Sequence, residues 1–302
     1  MAILDIRNAC KYYREVTAVD NVSLSVPKGS IFGLLGPNGA GKTSLIRMIT
    51  QITGLDDGEI YIDGELLKPA HTRDIGYMPE ERGLYKKMKV GEQLIYLAQL
   101  KDVRSRDARP LIEEWMERFE IQSWWNKKVQ DLSKGMQQKI QFISTVMHEP
   151  KLLILDEPFS GLDPINTTLI REEIFRLVKE KGISVIFSTH RMEQVEEICE
   201  HIALINKGKC IVNGEMQMLQ QQFKKNLHHI KIAGDIPSEL SSDFNLVGRE
   251  DDGITFQLEG NQTGNDLLSS MMAKGFQIEG YSELLPSMND IFIEQVEGDS
   301  DE

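Results

Sequence analysis

The chain has 302 residues, 40% of them hydrophobic and 27% charged, enough for one large packed domain and a second small one. A formal net charge of −13 argues against nucleic-acid binding, which needs a basic footprint. With no apolar run of about 18 residues, no membrane span is expected. Met1-Ala2-Ile3-Leu4-Asp5 lacks the charged start and apolar stretch of a signal peptide. Cys10, Cys199 and Cys210 are scattered and odd in number. They read as ordinary buried thiols of a reducing cytosol, not as disulfide or metal partners.

In chain order, residues 3–13, 19–26 and 31–36 read as strands, and 58–67 as a hairpin around Asp63-Gly64. Between the third strand and the hairpin stands Gly36-Pro37-Asn38-Gly39-Ala40-Gly41-Lys42-Thr43, which spells G-x-x-x-x-G-K-T. The apolar Ile31-Phe32-Gly33-Leu34-Leu35 precedes it. The helix-forming Ser44-Leu45-Ile46-Arg47-Met48-Ile49 follows. Strand, glycine loop and helix in that order are what a phosphate-binding loop requires. Glycines let the backbone curl so that successive N–H groups point at phosphate oxygens, and the helix N-terminus adds partial positive charge. Lys42 is placed for the β- and γ-phosphates, and the Thr43 hydroxyl for Mg²⁺. The alternative is a glycine-rich turn that binds nothing, and the flanking elements argue against it.

Residues 91–148 are rich in helix formers, with Trp115, Met116, Phe119, Trp124 and Trp125 as bulky anchors that read as core. Ser133 is an N-cap candidate before Met136, Ile140, Ile143 and Met147, which recur at helical spacing, with Phe142 and Val146 widening the apolar face. Alone, this is simply a capped helix. Lys151-Leu152-Leu153-Ile154-Leu155-Asp156-Glu157-Pro158 suits a central parallel strand buried on both faces. Asp156, at its C-terminal end, faces the crevice where open α/β sheets bind ligands and is placed to hold Mg²⁺ through water. Glu157 is placed to orient and deprotonate an attacking water. Residues 151–213 return to β/α alternation and close in a hairpin at Asn206-Lys207-Gly208-Lys209.

Gln217–Gln222 reads as a helical linker, within a linker spanning 216–226. Beyond it come a strand at Leu227–Ala233 and a hairpin of Asn245–Gly248 and Ile254–Leu258 around Asp251-Asp252-Gly253. A helix at Asp266–Ala273, a strand at Phe276–Tyr281 and a helix at Met288–Val296 follow. These make a small α+β domain over 227–297, near the lower size limit for independent folding. His228 and His229 read as surface residues and not as metal ligands. The acidic end, 298–302, reads as a solvated tail.

In its place after the glycine loop, Leu132-Ser133-Lys134-Gly135-Met136 resembles the LSGGQ signature of the ATP-binding cassette (ABC) ATPases. Ser160-Gly161-Leu162-Asp163 resembles the D-loop of that family, and Ser188-Thr189-His190 its switch-histidine motif. Lys11-Tyr12-Tyr13 resembles its A-loop. The matches run in family order over residues 1–215. Tyr77-Met78-Pro79-Glu80-Glu81-Arg82-Gly83-Leu84-Tyr85, with the LSKGM form of the signature, resembles the ATPase subunits of ABC-2-type exporters.

The resemblance implies an α/β P-loop NTPase of the ABC ATPase fold: a RecA-like β/α core, an antiparallel β layer and a helical subdomain near 91–148, plus the small C-terminal α+β domain. It implies ATP and Mg²⁺ as ligands. Tyr13 would stack on adenine, with Tyr12 the alternative. Gly36, Pro37, Asn38, Gly39, Ala40, Gly41, Lys42, Thr43 and Ser44 would hold phosphates. Thr43, Asp156 and Glu80, which stands where glutamine is usual, would hold the metal. Glu157 would be the general base and His190 a γ-phosphate contact. Ser133 and Gly135 would reach the ATP of a second, head-to-tail ABC subunit, with Asp163 coupling the two sites. Met136 offers packing only, and nothing explains Lys134.

The partner implied is a separate transmembrane permease, met by the Glu81–Tyr85 loop and the helical subdomain's edge at the cytoplasmic face of the membrane. No nucleic acid is implied, and no contact with the transported substrate. Two alternatives remain open: a soluble ABC ATPase of translation or DNA repair, and a regulatory ABC subunit that turns ATP over weakly.

Overall fold

The computed structural model describes residues 1–233, 244–250 and 253–298. The expected turn residues Asp251 and Asp252, and residues 299–302 of the expected tail, lie outside the described residues. The chain divides into two compact units, Met1–Met216 and Gln217–Glu302.

The first unit holds two sheets. Strands β1 (Ala2–Tyr13), β2 (Val16–Pro27), β4 (Asp57–Ile62) and β5 (Glu65–Leu66) form an antiparallel sheet in the order β2-β1-β4-β5. The second sheet has six strands, β10-β9-β3-β8-β7-β6. In it β3 (Ile31–Leu35), β6 (Ile75–Met78), β7 (Leu152–Asp156), β8 (Ser184–Thr189) and β9 (His201–Asn206) run parallel, and β10 (Lys209–Glu215) turns back antiparallel on β9. Every residue of β3, β7 and β8 is buried. That is why these segments read as unbroken apolar runs instead of alternating ones. Helix α1 (Lys42–Ile49) lies between the sheets. Its Leu45 and Ile46 are 1% and 0% exposed among Ile6, Leu24, Phe32 and Ile186. Each such side chain contributes about 1.5–3 kcal/mol by leaving water.

Helices α2 (Val90–Leu100), α3 (Ser105–Arg118) and α4 (Lys134–Val146) form the helical part. Trp115, Phe119 and Phe142 meet there with ring centroids 5.9 to 6.3 Å apart. Trp125 lies flat against α2, where a Cβ on Gly91 would come within 2.4 Å of its ring. Helices α5 (Pro164–Lys181) and α6 (Met192–Ile198) complete the first unit. No described helix is long and apolar enough to cross a membrane. Cys10 and Cys199 are buried and Cys210 half-buried, all as free thiols.

The second unit is an antiparallel sheet ordered β12-β13-β11-β14. Its strands are β11 (Leu227–Ile232), β12 (Asn245–Glu250), β13 (Gly253–Gln257) and β14 (Ile278–Leu284). Ile230, Ile254 and Phe256 bury against Leu267 and Met271 of α8 (Gly264–Ala273), and α9 (Met288–Gly298) follows β14. Helix α7 (Met216–Gln222) leads into this unit, where Gln220 Nε2 donates to the Pro286 carbonyl at 3.2 Å. The last strand starts two residues later than predicted, because Phe276 N–H is spent capping α8 on the Met271 carbonyl. His228 is not a surface residue: it is 6% exposed. Strand alternation puts it on the same face as Ile230 and Ile232, stacked on Tyr281, whose hydroxyl is 2.8 Å from Nδ1.

Candidate functional site

The glycine loop follows β3 and opens α1. Gly36 sits at φ 146, where a Cβ would lie 2.1 Å from the Ile205 carbonyl oxygen. Gly41 sits at φ 113, where a Cβ would lie 2.3 Å from the Ala18 oxygen. Both positions therefore exclude every other residue twice, by backbone conformation and by space. The close approach lets the β9–β10 turn clamp the loop: Gly208 N–H donates to the Ala40 carbonyl at 2.8 Å.

Lys42 is 7% exposed, and its ammonium donates to the Gly36 carbonyl at 2.6 Å and the Pro37 carbonyl at 3.2 Å. Burial pulls its pKa down, while Glu157, Asp156 and Glu80 oppose that pull. The amine is held on loop carbonyls and faces a cavity of about 410 Å³ lined by Asn38 to Ser44, Glu80, Asp156 and Glu157.

Asp156 closes β7. Its Oδ1 accepts from Ser188 Oγ at 2.9 Å and its Oδ2 from Thr43 Oγ1 at 3.4 Å. Burial raises its pKa against the Ser188 hydrogen bond, and repulsion from Glu157 adds to the rise. Glu157 follows at φ 50, in the left-handed region that a β-carbon disfavours. Both its oxygens are occupied. Oε1 accepts from His190 N–H at 2.8 Å and lies 2.6 Å from His190 Nδ1; Oε2 accepts from Thr189 Oγ1 at 3.1 Å. Parallel pairing of β7 with β8, Asp156 opposite Ser188, brings these residues together across 32 positions of sequence.

Glu80 stands exposed in the cavity wall with these carboxylates. The structure does not bring Tyr13, Ser133, Gly135 or Asp163 into that wall. Tyr13 is exposed at the end of β1, with Lys11 Nζ 5.5 Å from its ring centroid, and the wall on that side is Val16, Thr17 and Ala18. Ser133 caps α4 by accepting from Met136 N–H at 3.3 Å, and Gly135 lies in the first turn of that helix. Asp163 caps α5, accepting from Asn166 N–H at 2.9 Å.

Sequence reasoning named Ser188 and Thr189 only as neighbours of His190 and missed that their hydroxyls hold Asp156 and Glu157. Two hydroxyl residues ending a buried strand were the available signal, since a buried hydroxyl needs a partner. The cavity walls at Val16–Ala18 and Lys207–Gly208 carried no signal of their own.

Magnesium fits the donor set. A hydroxyl and a buried carboxylate converge, and this ion takes hard oxygen ligands from one or two carboxylates plus substrate phosphates. Among the described residues no three His, Cys, Asp or Glu side chains gather to hold a metal without such phosphates.

A family model described as ABC transporter matches residues 19–160. One described as ATP-binding protein DrrA1-3-like, C-terminal domain, matches residues 214–296. The chain is 44% identical over 295 residues to the ABC transporter ATP-binding protein YhaQ of Bacillus subtilis (strain 168), covering 97% of this chain and 98% of that one. The chain belongs to the ABC transporter ATP-binding proteins.

As a member of that family it is a nucleotide-binding subunit of a transporter and an ATPase, converting ATP and water to ADP and phosphate. It is also 35% identical to the lipopolysaccharide export system ATP-binding protein LptB of Haemophilus influenzae, over 74% of this chain and 96% of that one. Among solved structures, an ATP-binding subunit of an ABC transporter superposes with a TM-score of 0.68 at 27% identity, over 73% of this chain and 93% of its own. The dimeric bacterial ABC transporter cassette MJ0796 superposes with a TM-score of 0.65 at 23% identity, over 70% of this chain and 98% of its own, a likeness of fold alone.

Proposed function

We propose that this chain powers an exporter: two copies close head to tail on two ATP molecules and drive a separate permease at the cytoplasmic face of the membrane. One observation carries the reading. The cavity of a single chain holds the loop, Lys42, Asp156 and Glu157 but neither Ser133 nor Gly135. A cassette whose signature stands outside its own phosphate site is half a site, and a second copy supplies the other half.

Loop amides and Lys42 take the phosphates, and Tyr13 extends the site toward adenine by stacking. Thr43 and Asp156, with Glu80 beside them, would hold Mg²⁺, which would neutralise charge on the phosphates. Glu157 takes the proton of the attacking water. Oε1 faces both the His190 backbone N–H and the His190 ring here, so turning the ring to the γ-phosphate frees an acceptor position on that oxygen for the water proton. That exchange ties proton abstraction to nucleotide binding. Asp163 lies near Gly135: a Cβ there would stand 3.6 Å from Nδ2 of Asn166, the residue Asp163 holds. Asp163 therefore links the signature to the α5 start. Closure drives the permease because ATP binds the closed state better than the open one.

Export is favoured by the LptB likeness and by the Tyr77–Tyr85 pattern. Contact with a permease is supported by exposed Ile52, Tyr85, Tyr96 and Leu100. All four lie on or beside α2, and exposed clusters of this kind mark interaction surfaces.

The test mixes two variants. Ser133→Arg keeps its own loop and Lys42→Ala keeps its own signature. In their heterodimer both lesions fall on one composite site, which leaves the other site whole. ATP-driven dimerisation on gel filtration should reappear in the mixture and be absent from each variant alone. Full dimerisation by Ser133→Arg alone would reject the composite site.

A further inference from the structure

Helix α4 sends two glutamine side chains away from water. Gln138 is 2% exposed and Gln141 is 4% exposed. Gln141 Nε2 donates to the Pro79 carbonyl at 2.7 Å. Gln138 uses both ends of its amide: Nε2 donates to the Pro158 carbonyl at 2.9 Å, and Oε1 accepts from Arg82 Nε at 3.1 Å. Arginine only donates and a carbonyl only accepts, so the orientation of the Gln138 amide is fixed by its partners. A buried amide that loses one partner is costly, so the three groups move together or not at all.

The two arms lead to different places. Pro158 follows Glu157 directly and has no N–H of its own, so its carbonyl is the first backbone handle after the residue held at φ 50. Arg82 lies two residues beyond Glu80, and its guanidinium stands 4.0 Å from where a Cβ on Gly161 would be. One buried amide therefore joins the signature helix, the segment after Glu80 and the turn that aims Glu157.

We propose that Gln138 is a positioning residue that sets the Glu157 carboxylate according to the position of α4 and Arg82, so that hydrolysis waits for the signature helix to engage. Gln138 does not line the nucleotide cavity; it acts through Glu157, and the proposal rests on Glu157 being the general base.

The experiment measures steady-state and single-turnover ATP hydrolysis by the full-length chain, in wild type and in Glu157→Gln, each with and without Gln138→Met. Methionine fills the same volume and makes neither hydrogen bond. In the wild-type background kcat should fall about 10- to 100-fold, the cost of a base misplaced by about an ångström, with KM for ATP within about twofold. In the Glu157→Gln background the same substitution should leave the residual single-turnover rate unchanged, since the group it positions is gone. An equal fractional loss in both backgrounds would overturn the positioning role and leave a structural one. Normal turnover in Glu157→Gln alone would instead overturn the base assignment.

Gln138→Glu serves as the second variant. It keeps the acceptor for Arg82 but sets a carboxylate against the Pro158 carbonyl. It should lose as much kcat as Gln138→Met, and wild-type turnover in it would sink the proposal even if Gln138→Met fails to fold.

Discussion

The two units bury polar groups very differently. In the first, Lys42, Gln138, Gln141, Asp156, Ser188 and Thr189 are each 7% exposed or less. They run from the glycine loop through the β7 and β8 strand ends to the signature helix. In the second unit the buried core is Ile230, Ile254, Phe256, Leu267 and Met271, with His228 and Thr255 as its described buried polar residues. Burying polar groups weakens a fold unless each is bonded. The first unit carries much of that burden where the chemistry lies, with Ser30, Gln93, Thr145, Glu173 and Ser184 buried elsewhere in it, and the second is built mainly for packing. Stability and catalysis should therefore come apart when each unit is injured separately.

The largest effects test that separation as a pair. Glu157→Gln should lower kcat by about 10²- to 10⁴-fold, the range for loss of a general base, and leave the unfolding midpoint of the second unit unmoved. It should also accumulate an ATP-bound dimer on gel filtration. Phe256→Ala removes a side chain with no exposure and should destabilise the second unit by about 3–5 kcal/mol. Its kcat for ATP should remain that of wild type. A drop in turnover alongside the calorimetric shift would show that the second unit does more than pack.

A smaller effect should appear on acidification. His148 ends the signature-helix segment beside a groove of about 290 Å³ that Tyr77, Leu97 and Lys101 help to line. Neither ring nitrogen has a hydrogen-bond partner of good geometry. Burial, and then the charge of Lys101, push its pKa from 6.5 down to about 4, with the Ile75 backbone carbonyl and then Asp74 pulling the other way. Lys101 cannot swing clear, because its amine is tied to the Thr72 and Ile75 carbonyls at 2.6 and 2.8 Å. A depressed histidine pKa means the folded state prefers the neutral ring. Its contribution is fully present above pH 6.5 and is lost as pH falls toward 4, by up to about 3 kcal/mol. His148→Leu should flatten the urea-unfolding midpoint of the first unit across that window. An unchanged pH profile would mean that the ring charges freely.

Much of this division is visible in the sequence. Gly36 to Thr43, and the run from Lys151 to Glu157, are contiguous, and each forms its part of the site within a few residues. The steric demands at Gly36 and Gly41 and the full burial of β3 and β7 leave little freedom there. What the sequence concealed depends on pairing between distant strands and helices. Ser188 and Thr189 became partners of Asp156 and Glu157 only through the register of β7 with β8. Gln138 read as one polar residue in an amphipathic helix, and its inward aim depends on Arg82 and Pro158 meeting it from 56 and 20 positions away. In the second unit the alternation of β11 was legible, but the phase that puts His228 inside was not. Histidine is intermediate in burial preference, and Tyr281, which stacks on it, is 53 residues distant.

The smallest predicted effect reverses the usual sign. Asp156 is 4% exposed and its pKa is raised, first by burial and then by Glu157. A carboxyl with a raised folded-state pKa stabilises the fold when protonated and weakens it once pH rises through that pKa. Near neutral pH the nucleotide-free chain therefore bears an ionised carboxylate at a net cost, retained because the site needs the charge. Asp156→Asn keeps an acceptor for Ser188 Oγ and removes the charge. The variant should be more stable than wild type near neutral pH, while ATP hydrolysis falls to near background. The gain should shrink as pH falls through the Asp156 pKa, where wild type also becomes neutral. Paired urea titrations near neutral and mildly acidic pH measure this directly. If Asp156→Asn is less stable than wild type near neutral pH, attraction to Lys42 outweighs burial, and the site holds its carboxylate without strain.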